Sequence, residues 1–135
     1  MKTYLIYTDG AYSSSRNQGG IGFVILNDGN EVATYSKMYK NTTNQRMEQM
    51  AAIVALESIK EPSIITVISD SQYVVSTYEK GWKRKANVDL WERFDKAVMK
   101  HSEVHFKWTK GHADDKYNKI CDNLAQEASR RLSND

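Results

Sequence analysis

The segment Ile64-Ile-Thr-Val-Ile-Ser-Asp70 decides the fold class of this 135-residue chain. Its β-branched residues are typical of a strand that is buried on both faces, and the strand ends at an aspartate. Before it, Thr43 to Ile59 predicts a long helix, with Thr43 or Asn44 as its cap. Apolar residues cover nearly all sides of that helix from Met50 to Leu56, which indicates that it packs across a sheet. A buried helix that leads into a buried strand favours an α/β fold.

Three strands are predicted ahead of the long helix. Thr3 to Thr8 predicts a strand that is followed by a turn at Asp9-Gly10, which places Asp9 at the carboxyl end of the strand. Gly19 to Leu26 and Glu31 to Tyr39 predict a hairpin, because the sequence between them is Asn27-Asp-Gly-Asn30. These strands form an antiparallel meander.

The rest of the chain predicts three more helices and one more strand. A short helix follows Asp70, a second helix uses Asp89 as its cap, and an amphipathic helix places Asn118 and Asp122 on one flank at positions i and i+4. The predicted bounds are Ser71 to about Glu79 and Asp89 to His101 for the first two helices, Val104 to Trp108 for the strand, and Tyr117 to Leu132 for the last helix.

Composition favours one domain that spans residues 1–135 and excludes several other classes of protein. A hydrophobic content of 40 % supplies an ordinary core. The single cysteine, Cys121, cannot form an internal disulfide, and no apolar run suggests a membrane span or a signal peptide. We therefore expect a cytoplasmic monomer with no membrane association. The net charge of +2 is mild, but Lys80, Lys83, Arg84 and Lys85 are clustered around Trp82. This run is either a solvated face or a phosphate-binding surface.

Four acidic residues in separate segments form a candidate site for divalent metal ions: Asp9, Glu48, Asp70 and Asp122. In an α/β sheet, the carboxyl ends of neighbouring strands can bring such groups together, and Mg²⁺ prefers oxygen ligands. Each acid taken singly has a simpler interpretation. Asp before Gly marks turns, Asp before Ser caps helices, and Glu in a helix usually faces water. Glu48 is the exception, because its neighbours are apolar on nearly every side and a buried lone carboxylate is costly.

Four motifs in this chain resemble ribonuclease H of type 1. They are Tyr7-Thr-Asp-Gly10, Thr43-Asn-Gln-Arg-Met-Glu-Gln-Met-Ala-Ala52, Ser69-Asp-Ser-Gln-Tyr73 and Trp108-Thr-Lys-Gly-His-Ala113. The resemblance extends from Tyr7 to Ala125 and keeps the order of the family's motifs. It implies a ribonuclease H-like fold with a five-stranded mixed sheet in the order 3-2-1-4-5, flanked by helices. It also implies an endonuclease that cuts the RNA strand of RNA/DNA hybrids and leaves 5′-phosphate and 3′-hydroxyl ends.

The resemblance assigns a role to each candidate residue. Asp9, Glu48, Asp70 and Asp122 match the family's quartet of catalytic metal ligands, which binds two Mg²⁺ ions, with Mn²⁺ as a substitute. His112 matches an auxiliary histidine that assists the leaving group or product release, and Asn118 orients Asp122. The matched substrate-binding residues are Gly10, Thr43, Asn44, Gln72 and Asn87.

The largest departure from the family lies between Gln72 and Asn87, where many members have a longer basic protrusion. Lys83, Arg84 and Lys85 are what is left of it, so we expect weaker binding of the hybrid and a higher KM. Trp82 is expected to pack rather than to stack on DNA. Two alternatives stay open: a module that binds hybrids without cutting them, and a DNA-cleaving nuclease of the integrase or resolvase type with the same fold.

Overall fold

The computed structural model describes residues 1–110 and 115–132, which form one mixed sheet with helices on both faces. The sheet order is β3-β2-β1-β4-β5, as predicted. β1 pairs antiparallel with β2, β2 pairs antiparallel with β3, and β4 is parallel to both β1 and β5. The elements are β1 (Thr3–Ser13), β2 (Gln18–Asn27), β3 (Asn30–Lys40), α1 (Asn44–Ser58), β4 (Ile64–Ser69), α2 (Gln72–Glu79), α3 (Val88–Met99), β5 (Glu103–Trp108) and α4 (Lys116–Ser129).

The prediction of a turn at Asp9-Gly10 is wrong, because β1 continues through both residues to Ser13. A close approach of α1 explains the glycine. A Cβ atom at position 10 would lie 2.5 Å from the backbone N of Glu48 and 2.5 Å from the carbonyl carbon of Met47. Only glycine therefore lets α1 lie this close to β1. The glycine serves helix packing, not chain reversal.

Glycines in β2 have the same effect on the opposite face of the sheet. A Cβ atom at Gly22 would lie 2.6 Å from Cβ of Leu124 in α4. Gly22 pairs with Asp9, and residues that pair across two strands point to the same side. Asp9 therefore faces the α4 side, whereas Gly10, one residue later, faces α1. Because side chains alternate along the strand, α4 and α1 approach β1 at neighbouring residues from opposite faces of the sheet.

The prediction that β4 is buried on both faces is correct for one face only. Ile65, Val67 and Ser69 are buried, but Ile64, Thr66 and Ile68 are half-buried. The main core lies on the α1 side, where α3 and the aromatic side chains of Trp91 and Phe94 complete it. On the other side, α4 packs against β1, β2 and β3 and covers β4 only in part.

Helix α1 starts as predicted, whereas the cap of α3 differs from the prediction. Thr43 caps α1, and its hydroxyl accepts a hydrogen bond from the backbone N of Arg46 at 3.2 Å. The N-cap of α3 is Asn87, in a left-handed conformation with φ of 56°, and not Asp89. Asp89 lies in the first turn of α3 instead, because its carboxylate pairs with both terminal nitrogens of Arg46, at 3.0 and 2.8 Å.

None of the helices in the described part of the chain is long and apolar enough to cross a membrane.

Candidate active site

The parallel register of β1 and β4 places Asp9 beside Asp70. The last paired residues are Tyr7 and Ile68, and each aspartate lies two residues beyond its strand's member of that pair. Glu48 reaches the same point from α1. One carboxylate oxygen from each of the three side chains can be chosen so that all lie within 4.8 Å of one another. Three elements that are distant in sequence thus form one carboxylate cluster.

A single backbone amide holds two members of the cluster. The N–H of Gly10 donates to Oε1 of Glu48 at 2.6 Å and to Oδ1 of Asp9 at 2.9 Å. The first bond depends on the close approach of α1 that Gly10 permits. The amide therefore aligns the glutamate of the helix with the aspartate of the strand, and it supplies a partial positive charge between them.

Burial and nearby negative charge raise the pKa values of Asp9 and Glu48. Asp9 is 4 % exposed and Glu48 is 8 % exposed. Burial and the charge of Asp70 raise the pKa of Asp9 to about 8. Burial, followed by the charges of Asp9 and Asp70, raises the pKa of Glu48 well above its usual range. Without a cation, this part of the protein retains protons at a pH where exposed acids have lost them.

A fourth acid faces the cluster from α4. Asp122 lines a small cleft together with Asp9, Asp70, Asn118 and Lys119. It lies outside the closest group of three, yet its charge also raises the pKa of Asp9. Sequence reasoning missed Lys119, although its position three residues before Asp122 puts it on the same flank of the helix. The cleft therefore combines three carboxylates with one amide and one amine, and Glu48 lies within reach of two of these carboxylates.

Comparison with known proteins settles the family. The sequence model of the RNase H family matches residues 1–130. The chain belongs to the RNase H family.

Members of the RNase H family resemble this chain along most of its length. Ribonuclease H of Pseudoalteromonas translucida (strain TAC 125) is 43 % identical over 142 residues, which cover 95 % of this chain and 90 % of the relative. A crystal structure of LC11-RNase H1 in complex with an RNA/DNA hybrid aligns with a TM-score of 0.81 and 25 % identity, covering 93 % of this chain and 95 % of that one. The N-terminal RNase H domain of a Mycobacterium tuberculosis protein, solved as a maltose-binding-protein fusion, has a TM-score of 0.82, 21 % identity and coverage of 96 % and 94 %. This third likeness concerns the fold alone.

Two of the substrate-binding residues expected for an RNase H lie close together, linked by Arg46. Thr43 caps the turn that contains Arg46, whose Nη1 donates to Oδ1 of Asn87 at 3.3 Å. The amide nitrogen of Asn87 in turn donates to the hydroxyl of Tyr73 at 3.3 Å. Arg46 and Tyr73 are contacts that sequence reasoning did not identify. They hold the Asn87 side chain at the start of α3.

The other expected substrate residues lie at the ends of the elements that form the site. Asn44 and Gln72 are exposed first residues of α1 and α2, and Gly10 is half-buried beside Glu48. Asn118 is buried in the cleft with Asp122. His112 lies outside the described residues.

The basic run differs from the expectation in one respect, the contacts of Arg84. Trp82, which is expected to pack rather than to stack on DNA, is 49 % exposed, so only about half of its side chain is buried. Arg84 contacts the protein, because it pairs with Asp95 at 2.6 Å and its guanidinium lies 4.8 Å from the ring centre of Trp91. Lys83 and Lys85 are exposed. Together with Lys80, which is also exposed, they are the members of the run that can reach a phosphate without breaking an ion pair that the structure shows.

The raised pKa values predict the pH dependence of the metal-free protein. Between the unfolded pKa of Asp, about 4, and the folded pKa of Asp9, about 8, the native state binds more protons than the unfolded state. The free energy of unfolding in EDTA should therefore fall as pH rises from 5.5 to 8. In the Asp9→Asn protein, the decrease in the free energy of unfolding between these pH values should be smaller by about 1 to 3 kcal/mol. Urea unfolding of both proteins at the two pH values measures the difference.

Asp89→Asn is the matched control for this experiment. Arg46 lowers the pKa of exposed Asp89 to about 2, so Asp89 stays ionised throughout the tested range. Its loss should leave the pH dependence unchanged, and the histidines contribute equally to all three proteins. If the stability of the Asp9→Asn protein had the wild-type pH dependence, the raised pKa of Asp9 would be contradicted.

Proposed function

We propose that this chain is an endonuclease that hydrolyses the RNA strand of RNA/DNA hybrids and leaves 5′-phosphate and 3′-hydroxyl ends. The observation that carries the proposal is the convergence of Asp9, Glu48 and Asp70 within 4.8 Å at the sheet edge, with Asp122 facing them. Membership of the RNase H family supports the reaction. The neighbour that was solved with an RNA/DNA hybrid supports the substrate.

The cluster has the donor set of a site for hard divalent ions. Among the described residues its ligand atoms are carboxylate oxygens, and Oδ1 of Asp70 is buried there without a hydrogen-bond partner. Mg²⁺ prefers such oxygen donors, and Mn²⁺ accepts the same ligands. We propose that Asp9 and Asp70 are shared between two ions, that Glu48 holds one of them, and that Asp122 holds the other. When bound, two such ions would activate water for attack on phosphorus and stabilise the leaving oxygen.

The chain's own groups prepare this site before any substrate arrives. The acidic side chains converge in a partly water-excluded place, where a carboxylate attracts a cation more strongly than at an open surface. The Gly10 amide fixes Glu48 and Asp9 relative to each other, and Asn118 lies beside Asp122. Glu48 can also accept a hydrogen bond from a 2′-hydroxyl, which only the RNA strand carries. The same cluster can therefore recognise RNA and position it.

Contacts to the DNA strand are proposed at the junction of α1 and α3. Thr43 and Asn87 offer a hydroxyl and an amide for one phosphate, within a network that Arg46 and Tyr73 hold in place. Asn44 and Gln72 are small polar groups suited to the base edges in a wide minor groove. His112 is proposed to assist departure of the leaving group or the product, because a histidine can move protons near neutral pH.

The two alternatives each lack a supporting observation. A hybrid-binding module that does not cut would have no need for four acids. Here Asp9, Glu48 and Asp70 converge, and Asp122 lines the adjoining cleft. An integrase-type or resolvase-type nuclease could use the same sheet. The similar proteins, however, are named ribonuclease H.

We also propose that one copy suffices and that the protein acts in the cytoplasm. The four acids come from a single chain, so the site does not need a second subunit. The Cys121 thiol is buried and donates to the carbonyl of Tyr7 at 3.0 Å, and burial raises its pKa. A buried thiol used as a hydrogen-bond donor fits a reducing compartment.

The substitution Asp70→Asn tests the metal site directly. It removes a charge that the reaction needs while it relieves repulsion in the cluster. We expect kcat on an RNA/DNA hybrid to fall about a thousandfold or more, and the thermal midpoint in EDTA to stay level or rise. Asp28→Asn is the control, because Asp28 lies in the hairpin turn with φ of 51°, a conformation that asparagine also adopts. A fully active Asp70→Asn protein would refute the assignment.

The double variant Lys83→Ala/Lys85→Ala tests the basic run. If both lysines contact phosphates, KM for the hybrid should rise severalfold, kcat should change little, and the slope of log KM against log salt should decrease by about 1 to 2. Lys2→Ala/Lys60→Ala makes the same charge change at residues that line a separate groove near the end of α1. Equal effects of the two double variants would show that only net charge matters.

A further inference from the structure

The backbone around Asp70 helps to fix where its carboxylate lies. Its side-chain Oδ1 is buried without a hydrogen-bond partner, and the residue follows the last residue of β4, Ser69. It therefore lies in the short connection between β4 and α2, outside the regular hydrogen bonding of either element. A carboxylate at such a junction keeps its place only if the surrounding backbone is held by other groups.

The structure holds this junction at three points. The carbonyl of Ser69 accepts from the backbone N of Thr109 at 3.0 Å, and Oγ of Ser69 accepts from the backbone N of Ser71 at 3.1 Å. The carbonyl of Asp70 itself accepts from Nε1 of Trp108 at 3.1 Å. Two of the three contacts come from the end of β5, the strand that pairs with β4. The tryptophan provides the contact on the aspartate itself.

The Trp108 side chain is not placed like that of a tryptophan in a hydrophobic core. A tryptophan that serves a core buries its ring and needs a partner for its N–H only as a consequence. Trp108 is 47 % exposed, and its N–H donates to the Asp70 carbonyl. Trp91 shows the contrasting case, with a ring that is 2 % exposed in the core. Trp108 is therefore only partly buried, and its N–H makes a specific contact with the backbone of Asp70.

We propose that Trp108 is a positioning residue that fixes the backbone of Asp70 and thereby sets the affinity of the carboxylate cluster for divalent ions. The proposal rests on the proposed function only in that it takes Asp70 as a metal ligand. Groups that orient a metal ligand through a hydrogen bond typically change metal affinity about 10- to 100-fold when they are removed. Trp108 holds a backbone carbonyl, one step further from the ion, so the lower end of that range applies.

Trp108→Phe tests the proposal, because it keeps an aromatic ring and removes the N–H donor. We expect Mg²⁺ binding to the substrate-free protein, measured by isothermal titration calorimetry, to weaken about tenfold. The Mg²⁺ concentration for half-maximal hybrid cleavage should rise by a similar factor, with KM for the hybrid within about twofold of the wild-type value. Trp82→Phe, at another half-exposed tryptophan, should leave Mg²⁺ binding and the Mg²⁺ concentration for half-maximal cleavage unchanged.

A spectroscopic experiment provides a readout that does not depend on catalysis. The chain has three tryptophans, so a ¹⁵N–¹H correlation spectrum should contain three indole signals, which the two phenylalanine variants assign. We expect Mg²⁺ to shift the Trp108 signal and to leave the Trp82 signal in place. If Trp108 had only a structural role, Trp108→Phe would lower the thermal midpoint and leave Mg²⁺ affinity unchanged.

The outcomes separate this proposal from the proposed function. The positioning role would be overturned if Trp108→Phe bound Mg²⁺ with wild-type affinity, or if Mg²⁺ did not shift the Trp108 indole signal. Either result would count even if the protein cuts hybrids. Weakened Mg²⁺ binding in a protein that cuts no hybrid would support the positioning role and reject the proposed reaction. A wild-type protein that binds no Mg²⁺ would overturn both.

Discussion

Carboxylates that repel one another are held together at the edge of the sheet. Asp9, Glu48 and Asp70 offer oxygens within 4.8 Å of one another in a largely buried place, where like charges repel more strongly than in water. Packing of the surrounding elements opposes this repulsion. The parallel register of β1 and β4 fixes two of the acids side by side, and the glycine at position 10 lets α1 bring the third.

The same repulsion connects stability with function. In the metal-free protein, burial first and the neighbouring carboxylates second raise the pKa values of Asp9 and Glu48, so these two groups retain protons and the repulsion is relieved. A bound cation would relieve it in another way, and the ionised form would then be favoured. The cluster is thus a costly arrangement for folding and a favourable one for binding divalent ions. Strain of this kind at a functional site is expected when the surrounding fold determines the geometry.

Local patterns in the sequence predicted most of the elements, because apolar periodicity and caps act over short distances. Errors arose where a distant contact decided the outcome. Asp9-Gly10 has the composition of a turn, yet the packing of α1 makes it part of a strand. Asp89 has the composition of a cap, yet Arg46, 43 residues earlier, occupies its carboxylate.

In the candidate site, too, the sequence predicted some features, whereas others depend on contacts between distant residues. The four acids were identified from the residues and from the resemblance, and the sheet order that juxtaposes Asp9 with Asp70 came from the resemblance alone. Lys119 and Trp108 were not assigned to the site, because their roles depend on which face of α4 and which end of β5 meet the cluster. Arg84 looked like a free phosphate ligand, but its ion pair with Asp95 is visible only in three dimensions.

Cleavage of end-labelled duplexes of one sequence is the most direct test of the account. The set contains RNA/DNA, RNA/RNA and DNA/DNA duplexes and a DNA duplex with one ribonucleotide, each incubated with Mg²⁺ or with EDTA. We expect cutting of the RNA strand of the hybrid that requires Mg²⁺, with no cutting of RNA/RNA or DNA/DNA. Binding of the hybrid without cutting, even with Mn²⁺, or cutting of DNA/DNA, would contradict it.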